Sequence, residues 1–462
     1  MMNRSLLKNA LGIIFVFCWL LAGDFVYAIV DYEMIVVRVI DHNPSLKAKG
    51  EEVNIAQQDH RYAMGLMFPE ISVNTQTSRY NYISDQQSQL GPDGKVNQLN
   101  SISNNSQWQS SAYLLVQYKL SSLYKELFNV GYYKNKFAAK LYEYKAESKE
   151  MLSEMTDVYS AFLETEIRLK YGTEILKKNE EAYNLKKVAV EYGESSQEDL
   201  LQISLNIKSL RKDLLQTRKE LKLNQDKLNE YMATEIMKDD ETLAPLTLNE
   251  TDLPRKIAYS DGWLETEPSY ASGLLEVRAA EDKKTMSDNH WFPEISLYGR
   301  YDCYGSDYGD VGISTQKMQP TSTSVGMTIS LPLFMGGRGI SERDRNIAEL
   351  KRVQNALDAL KQRLFRSVRG LWVDYLAATS VYEESKQIAL EYEQLMHITN
   401  QAKYLGGKNK LEVLDAEIKY LDSKKQAEIA EINVAMLAKK LLLETDFEGF
   451  MVQHYGNRAD KY

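Results

Sequence analysis

The motif Phe292-Pro293-Glu294-Ile295-Ser296 has an earlier copy in the chain, Phe68-Pro69-Glu70-Ile71-Ser72. The proline of each copy lies 25 residues after another proline, Pro268 in the later copy and Pro44 in the earlier one. The copies are 224 residues apart, and a repeat of this length indicates two copies of one structural unit. At the same offset, three more residues recur, namely Glu52, Val53 and Ala56 as Glu276, Val277 and Ala280.

Each unit begins with a helical stretch, at residues 31–66 and 261–290, that ends at the Phe-Pro pair. Proline cannot continue a helix and pushes the residue before it into an extended conformation. Polar and apolar residues then alternate, clearly in the second unit and more weakly in the first, which predicts strands with one apolar face. The predicted strands are residues 71–82, 112–120, 294–304 and 324–331.

Two long helices are predicted after the strands of each unit. The outgoing helices, 124–192 and 340–404, would each be about 100 Å long at about 1.5 Å per residue. Apolar residues at every third or fourth position, as in Leu350, Val353 and Leu357, indicate helices that pack as a coiled coil. The return helices, 197–233 and 410–445, have about half that length, so we expect a return helix and an opening helix stacked end to end to match one long partner.

Composition excludes several classes of function. The chain has 44% hydrophobic and 26% charged residues and a net charge of -9, so it can fold, and it lacks the basic surface of a nucleic-acid-binding protein. Its five histidines show no metal-ligand spacing, and the run at residues 336–339 lacks the spacing of a phosphate loop. We therefore expect no enzyme activity, no cofactor, no metal and no nucleic-acid partner.

The first 28 residues have the features of a signal peptide. Arg4 and Lys8 precede an apolar run at residues 10–22, and Val26-Tyr27-Ala28 follows as the cleavage site. A single membrane anchor is the alternative, but the run is shorter than the ~20 residues that a spanning helix needs. Cleavage after Ala28 would leave Cys303 without a second cysteine for an internal disulfide.

The repeat and its flanking segments predict five parts. After the signal peptide, the first repeat covers residues 29–233 and contains a helix, a β-hairpin and a long helical hairpin. An acidic, proline-containing linker at 234–260 separates it from the second repeat at 261–446, which has the same elements. Residues 447–462 are expected to be a loose C-terminal tail.

Three features together resemble the TolC-like outer membrane efflux protein family. They are the doubled proline frame, the strand-to-helix turn Leu331-Pro332-Leu333-Phe334-Met335-Gly336-Gly337-Arg338, and Tyr404-Leu405-Gly406 followed by Leu411-Glu412-Val413-Leu414-Asp415-Ala416. The resemblance covers nearly the whole chain after the signal peptide. It implies a mainly α homotrimer with a β-barrel contribution, in which each chain adds four transmembrane β-strands and two structural repeats of a long α-helical coiled-coil barrel.

The same resemblance implies a passive exit duct across the periplasm and the outer membrane. Its partners would be outer-membrane lipid, a periplasmic adaptor protein, and an inner-membrane transporter of the RND, ABC or MFS type. The duct would serve a tripartite efflux pump or a type I secretion system. The alternative is a soluble periplasmic coiled-coil scaffold in which the short strands form a small capping domain.

Site residues carried over from the family lie at the helical-hairpin tips and at the strand-to-helix turn. The resemblance places Asp199, Lys408, Glu412 and Asp415 at a periplasmic aperture. It places adaptor contacts at Gly193, Ser196, Leu200, Gly406, Asn409 and Leu414, and the turn at Pro332, Gly336 and Gly337.

The residues themselves favour a structural role at the same positions. Glycine allows the left-handed turn that ends a helix, and Ser196 and Asn409 precede an acid by three residues, as helix caps do. Glu412 and Asp415 share a helix face, so threefold symmetry would gather their carboxylates in a ring that favours cations. The capping and aperture roles are compatible.

Overall fold

Asn43 and Pro44 divide the first helical stretch in the computed structural model, which describes residues 30–81, 87–90, 96–99, 106–120, 122–233, 243–246, 261–289 and 291–455. Helix α1 (Tyr32–His42) ends before Asn43, and α2 (Pro44–Gly65) begins with the proline. The Asn43 side-chain oxygen accepts hydrogen bonds from the backbone nitrogens of Ser45 (2.9 Å) and Leu46 (3.4 Å). The predicted helix is therefore two helices, because Pro44 suits a first turn and not a helix interior.

The four predicted strands are confirmed and form one antiparallel sheet. Its strands are β1 (Glu70–Asn81), β4 (Ser106–Lys119), β5 (Glu294–Asp307) and β6 (Gln319–Ser330), in the spatial order β1-β4-β5-β6. A second, two-stranded sheet of β2 (Gln87–Leu90) and β3 (Val96–Leu99) was not expected. Residues 91–95, between β2 and β3, lie outside the described residues.

One face of the four-stranded sheet is apolar and exposed. In an antiparallel sheet directly paired residues share a face, and the register aligns Ile71, Val116, Gly299 and Val325 across all four strands. The exposed apolar residues of this face are Ile71, Val73, Leu114, Val116, Leu297, Tyr301, Val325, Met327 and Ile329. The opposite face carries mainly polar residues such as Asn74 and Ser324, as the alternating sequence predicts.

The long helices begin and end within two residues of their predicted limits. The outgoing helices are α3 (Ser122–Glu191) and α7 (Arg338–Tyr404), of 70 and 67 residues. The return helices, α4 (Gln197–Met232) and α8 (Lys410–Thr445), have 36 residues each. A short 3-10 helix (Asp261–Glu265) and helix α5 (Pro268–Asp288) precede strand β5. Helix α6 (Val311–Gln316) connects β5 to β6.

The chain forms two compact units, and each contains segments of both repeats. Of the described residues, those within 30–50, 144–270 and 361–455 form the first unit, and those within 51–143 and 271–360 form the second. The sheet belongs to the second unit, and both helical tips belong to the first. Sequence repeats therefore mark copies of a motif, whereas the compact units combine corresponding parts of the two copies.

The C-terminal segment differs from the expected loose tail. Residues Phe447–Tyr455 form helix α9, and its apolar side chains pack in the core of the first unit. Phe450 is fully buried, and its ring lies 4.5 Å from that of His454. An isolated helix of nine residues is only marginally stable in water, so its packing against the core stabilises it. Two helical turns are too short to give a clear periodic pattern in the sequence, and the helix was therefore not predicted. Residues 456–462 lie outside the described part.

Two further predicted segments fall largely outside the described residues. The signal peptide at 1–28 lies there entirely, and of the linker at 234–260 only residues 243–246 are described. Leu243 forms a parallel bridge with Val30, and the Ala244 nitrogen donates to the Val30 carbonyl oxygen at 3.1 Å. Among the described residues, no helix is both long and apolar enough to cross a membrane.

Candidate aperture and docking tips

Glycine ends both outgoing helices in the same way. Gly193 and Gly406 each have a φ of 78°, the left-handed conformation that costs other residues about 1–2 kcal/mol. One residue later, the Glu194 nitrogen donates to the Ala189 oxygen at 2.8 Å, and the Gly407 nitrogen donates to the Ala402 oxygen at 2.9 Å. These bonds satisfy carbonyl groups at the helix ends, so the predicted glycine turns are confirmed.

Side-chain caps begin both return helices. The Ser196 hydroxyl accepts a hydrogen bond from the Asp199 nitrogen at 3.1 Å. At the second tip, the Asn409 side chain accepts from the Glu412 nitrogen, and the Glu412 carboxylate accepts from the Asn409 nitrogen, both at 2.9 Å. The second tip therefore has a complete capping box, and the first tip has half of one.

Each of the three predicted aperture acids forms an ion pair with a lysine of the same chain. Lys408 contacts Glu412 at 2.6 Å. Asp199 contacts Lys186 of α3 at 3.2 Å, and Asp415 contacts Lys419 at 2.7 Å. Lys419 could have been found by its helical i,i+4 spacing, but Lys186 could not, because its contact depends on how α3 and α4 pack.

Two of the acids, Asp199 and Glu412, have lowered pKa values because of their lysines. The hydrogen bond from Lys186 and its charge lower the pKa of Asp199 below the usual value. The Lys408 side chain, with the backbone nitrogen of Asn409, lowers the pKa of Glu412. The hydrogen bond and charge of Asp415 raise the pKa of Lys419. The three acids are exposed to solvent, so the pairs are weak in free energy and matter mainly for the local charge.

One groove of about 490 Å³ brings most of these groups together. Lys186, Lys408, Glu412, Asp415 and Lys419 line it, together with side chains of α7. Asp199 contacts this group through Lys186. The structure therefore places the four predicted aperture residues in one neighbourhood, with lysines interspersed among the carboxylates.

The low solvent exposure of Leu414 contradicts its predicted contact with an adaptor protein. Leu414 is only 2% exposed and packs inside the unit with Val413 and Ala416, so it cannot contact an adaptor in this conformation. The glycines, Ser196 and Asn409 are exposed, and Leu200 is half-buried. A leucine near the start of a helix can face either way, and here the apolar packing of α8 directs Leu414 inward.

Three exposed side chains at the tips were not among the predicted site residues. Tyr192 is 79% exposed, and Tyr404 and Leu405 are both 87% exposed. They directly precede the glycine turns, so the turn holds them in solvent at the extreme end of each hairpin. The sequence did contain a signal for this surface, namely large apolar residues just before a glycine that ends a helix. Such residues would be buried if the helix end faced a core, so their exposure marks a surface for contacts.

The strand-to-helix turn has the backbone that its glycines predict. Gly336 and Gly337 have φ values of 61° and 77°, two consecutive residues in the left-handed region. Pro332 lies just after the end of β6, and the Arg338 side chain donates to the Met335 carbonyl oxygen at 3.1 Å. The run is therefore a turn that redirects the chain into α7, as its sequence indicated.

The second repeat carries a family signature. Residues 261–437 match the family model described as outer membrane efflux protein. Over these residues the chain is similar to the outer membrane efflux protein family. It is a family of transport channels. No curated protein matches the chain. The first repeat lies outside the matched residues, but it has the same order of helix, strand pair and helical hairpin.

Solved outer membrane channels share the fold of this chain. The Campylobacter jejuni CmeC channel matches with a TM-score of 0.72 at 15% identity, over 92% of this chain and 85% of that one. VceC of Vibrio cholerae matches with a TM-score of 0.70 at 16% identity, over 92% and 96% of the two chains. The open state of Neisseria gonorrhoeae MtrE matches with a TM-score of 0.72 at 16% identity, over 90% and 88%.

Proposed function

We propose that this chain is the outer-membrane channel subunit of a tripartite efflux pump or a type I secretion system. The observation that carries the proposal is the exposed apolar face of the four-stranded sheet. Val325, which is 86% exposed, and Ile71 and Val73 on the first strand would be unfavourable in water. In an outer membrane the same face would contact hydrocarbon, while the polar face would line an aqueous lumen.

The sheet edges support a homotrimer. Among the described residues, β1 and β6 are the edges of the four-stranded sheet, and each has 12 residues. Unpaired backbone groups cannot face lipid, so the edges need partners. Three chains that pair β6 of one with β1 of the next would close a barrel with four strands from each chain.

The helical tips would form the periplasmic end of the duct. Asp199, Glu412 and Asp415 would surround the aperture, and Tyr192, Tyr404 and Leu405 would be presented to an adaptor protein. The duct has no enzyme activity and no cofactor of its own, so an inner-membrane transporter supplies the energy. What passes through it depends on that transporter.

Membrane fractionation followed by the mass of the detergent-extracted protein tests the proposal. We expect a trimer that is extracted only from the outer membrane. A monomer or dimer in the soluble periplasmic fraction would contradict the channel and support the coiled-coil scaffold instead. In that case the apolar strand face would have to be covered by protein rather than by lipid.

Neutralising the tip acids should reduce the preference of the reconstituted channel for cations. In the variant Glu412→Gln with Asp415→Asn, Lys408 and Lys419 lose their partners and leave net positive charge at the aperture. Planar-bilayer reversal potentials measure the effect. The variant Glu383→Gln with Glu384→Gln removes equal charge from an exposed part of α7 and should retain the wild-type selectivity. An unchanged reversal potential in the first variant would refute an acidic ring.

The same preference should persist in mild acid. Because the pKa of Glu412 is lowered, its carboxylate remains charged above the ordinary glutamate value and is neutralised only as pH falls through the lowered one. We therefore expect wild-type selectivity to be constant from neutral pH to about pH 5 and to fall below that range.

A further inference from the structure

The short helix α6 lies on the apolar side of the sheet. Its Ser314 is fully buried, and the Ser314 hydroxyl is 2.7 Å from that of Ser110 on β4. Thr315 lies 3.3 Å from the same hydroxyl. Ser110 pairs with Gly305 of β5, so α6 covers the two middle strands and not the edge strands β1 and β6.

Small residues make room for this helix. Beneath it, Ser110 pairs with Gly305, and Ala112 pairs with Cys303. A Cβ atom on Gly305 would overlap the backbone oxygen of Ser314, which is a rigid part of α6. The contact therefore requires glycine at position 305, and the sheet surface at this end is shaped to receive α6.

Charged and capping contacts hold both ends of the segment. The Asp310 side chain accepts a hydrogen bond from the Gly312 nitrogen at 2.6 Å and caps the helix. Lys317 donates to the Asp307 carboxylate at 2.5 Å, and the Gly309 nitrogen donates to the other oxygen of that carboxylate at 2.9 Å. The segment between β5 and β6 is thus fixed against the sheet.

The outer surface of this fixed segment is apolar. Tyr308 is 68% exposed, and Val311 and Ile313 are 43% and 42% exposed. They continue the apolar face of the sheet, because α6 lies on the same side as Leu114 and Tyr301. The face runs from Ile295 to Gly305, about 33 Å along the strand, which corresponds to about 25 Å of membrane thickness for a strand tilted by about 40°.

We propose that residues 308–316 are an interfacial anchor that inserts Tyr308, Val311 and Ile313 among the acyl chains of the lipids in the outer leaflet. The proposal rests on the proposed function, because it needs the sheet to lie in the outer membrane. The height of the apolar face places α6 at the upper edge of the hydrocarbon layer, where short amphipathic helices bind. Lipid is the partner because the patch is continuous with the lipid-facing strands.

Spin labels on the reconstituted full-length protein test the anchor. Cys303 is first replaced by alanine, and a nitroxide is attached at Ile313→Cys, Val325→Cys or Gln401→Cys in separate variants. Collision rates with oxygen, which concentrates in hydrocarbon, are compared with those of a water-soluble nickel chelate. Val325 on the strand face reports lipid, and the exposed Gln401 on α7 reports water.

We expect the oxygen-to-nickel ratio at Ile313 to exceed that at Gln401 several-fold and to approach that at Val325. A water-like ratio at Ile313 with a lipid-like ratio at Val325 would overturn the anchor and leave the channel proposal intact. A water-like ratio at Val325 would overturn both. Low collision rates with both reagents at Ile313 would mean that protein covers the segment, which also overturns the anchor.

A second variant tests the role of the sheet contact. Gly305→Ala adds the Cβ that overlaps Ser314, so α6 should be displaced without any change in its own sequence. The oxygen-to-nickel ratio of the label at Ile313 should then fall towards the ratio at Gln401, while the label at Val325 keeps its lipid-like ratio. An unchanged Ile313 ratio in this variant would show that the contact with Gly305 does not set the depth of the segment.

Discussion

Replacing Lys149 with alanine is expected to lower the free energy of unfolding by about 3–5 kcal/mol, the cost of breaking a buried ion pair from one side. The Lys149 ammonium lies 2.8 Å from a carboxylate oxygen of Glu267 and 2.7 Å from one of Glu444. Both Lys149 and Glu267 are buried. Without the lysine, the Glu267 carboxylate would remain in the protein interior without its cation.

Glu267 cannot easily turn towards water. Its second carboxylate oxygen accepts a hydrogen bond from the Tyr270 nitrogen at 2.6 Å, at the start of α5. The triad thus joins three elements of the first unit: the long helix α3, the beginning of α5 and the end of α8. Circular dichroism at increasing urea concentration measures the loss of helix in detergent-solubilised protein and gives the change in unfolding free energy.

Two variants control the Lys149 result. Arg211→Ala removes an exposed ion pair of similar length, 2.7 Å to Glu180, and should change stability by only about 0–1 kcal/mol. The double variant Lys149→Met with Glu267→Gln removes the charges of the lysine and of its buried acid partner. It should recover part of the unfolding free energy that Lys149→Ala loses. If Lys149→Ala were as mild as Arg211→Ala, the buried triad would not be a significant contributor to stability.

The effect of Lys149 should not change with pH in the physiological range. Burial lowers the pKa of Lys149, but the charges of Glu444 and Glu267 and their hydrogen bonds outweigh burial and raise it overall. A raised lysine pKa means that the stabilisation is complete below the ordinary value and is lost as pH rises through the raised value. The difference between wild type and Lys149→Ala should therefore be constant from neutral pH to about pH 9.

Sequence patterns predicted the elements well because their signals are local. The Phe-Pro pairs mark where helices end, strict alternation marks β5 and β6, and the glycines at 193 and 406 mark the hairpin tips. Each signal depends on residues within a few positions of one another. The same locality explains why the capping roles of Ser196 and Asn409 were predictable from spacing alone.

What the sequence did not reveal depends on packing between distant segments. Lys149 is 118 residues from Glu267 and 295 residues from Glu444 in the sequence, so no local spacing indicates that they pair. Leu414 was expected at the surface and is buried, since its direction is set by neighbouring helices. Helix α6 is too short for a periodic signal, and its place on the sheet depends on the register of β4 and β5.

Tyr159→Ala is expected to destabilise the protein by about 3–5 kcal/mol, the range for removing a large aromatic side chain from a core. Tyr159 of α3 is fully buried. Its ring meets that of Tyr32 edge to face, with centroids 5.3 Å apart. Its hydroxyl donates to the Ala244 carbonyl oxygen at 2.6 Å, so the same side chain fills the core and binds the linker.

Tyr159→Phe separates these two roles. The ring is retained, but the partly buried Ala244 carbonyl loses its donor, so we expect the cost of an ordinary hydrogen bond, about 0.5–1.5 kcal/mol. Urea unfolding measures both Tyr159 variants. Tyr231→Phe is the matched control, because the Tyr231 hydroxyl contacts Glu154 at 3.1 Å in a solvent-exposed position and its loss should have little effect.

Amide hydrogen exchange shows where the Tyr159→Phe variant loosens. The Ala244 nitrogen donates to the Val30 oxygen, and the Leu243 bridge lies beside it. Exchange at the amides of Leu243, Ala244 and Leu246 should therefore accelerate before exchange in α3 does. Equal acceleration across α3 would mean that the hydroxyl stabilises the core as a whole. Unchanged exchange at 243–246 would mean that the Val30 bridge alone holds the linker, and that Tyr159 contributes only its ring.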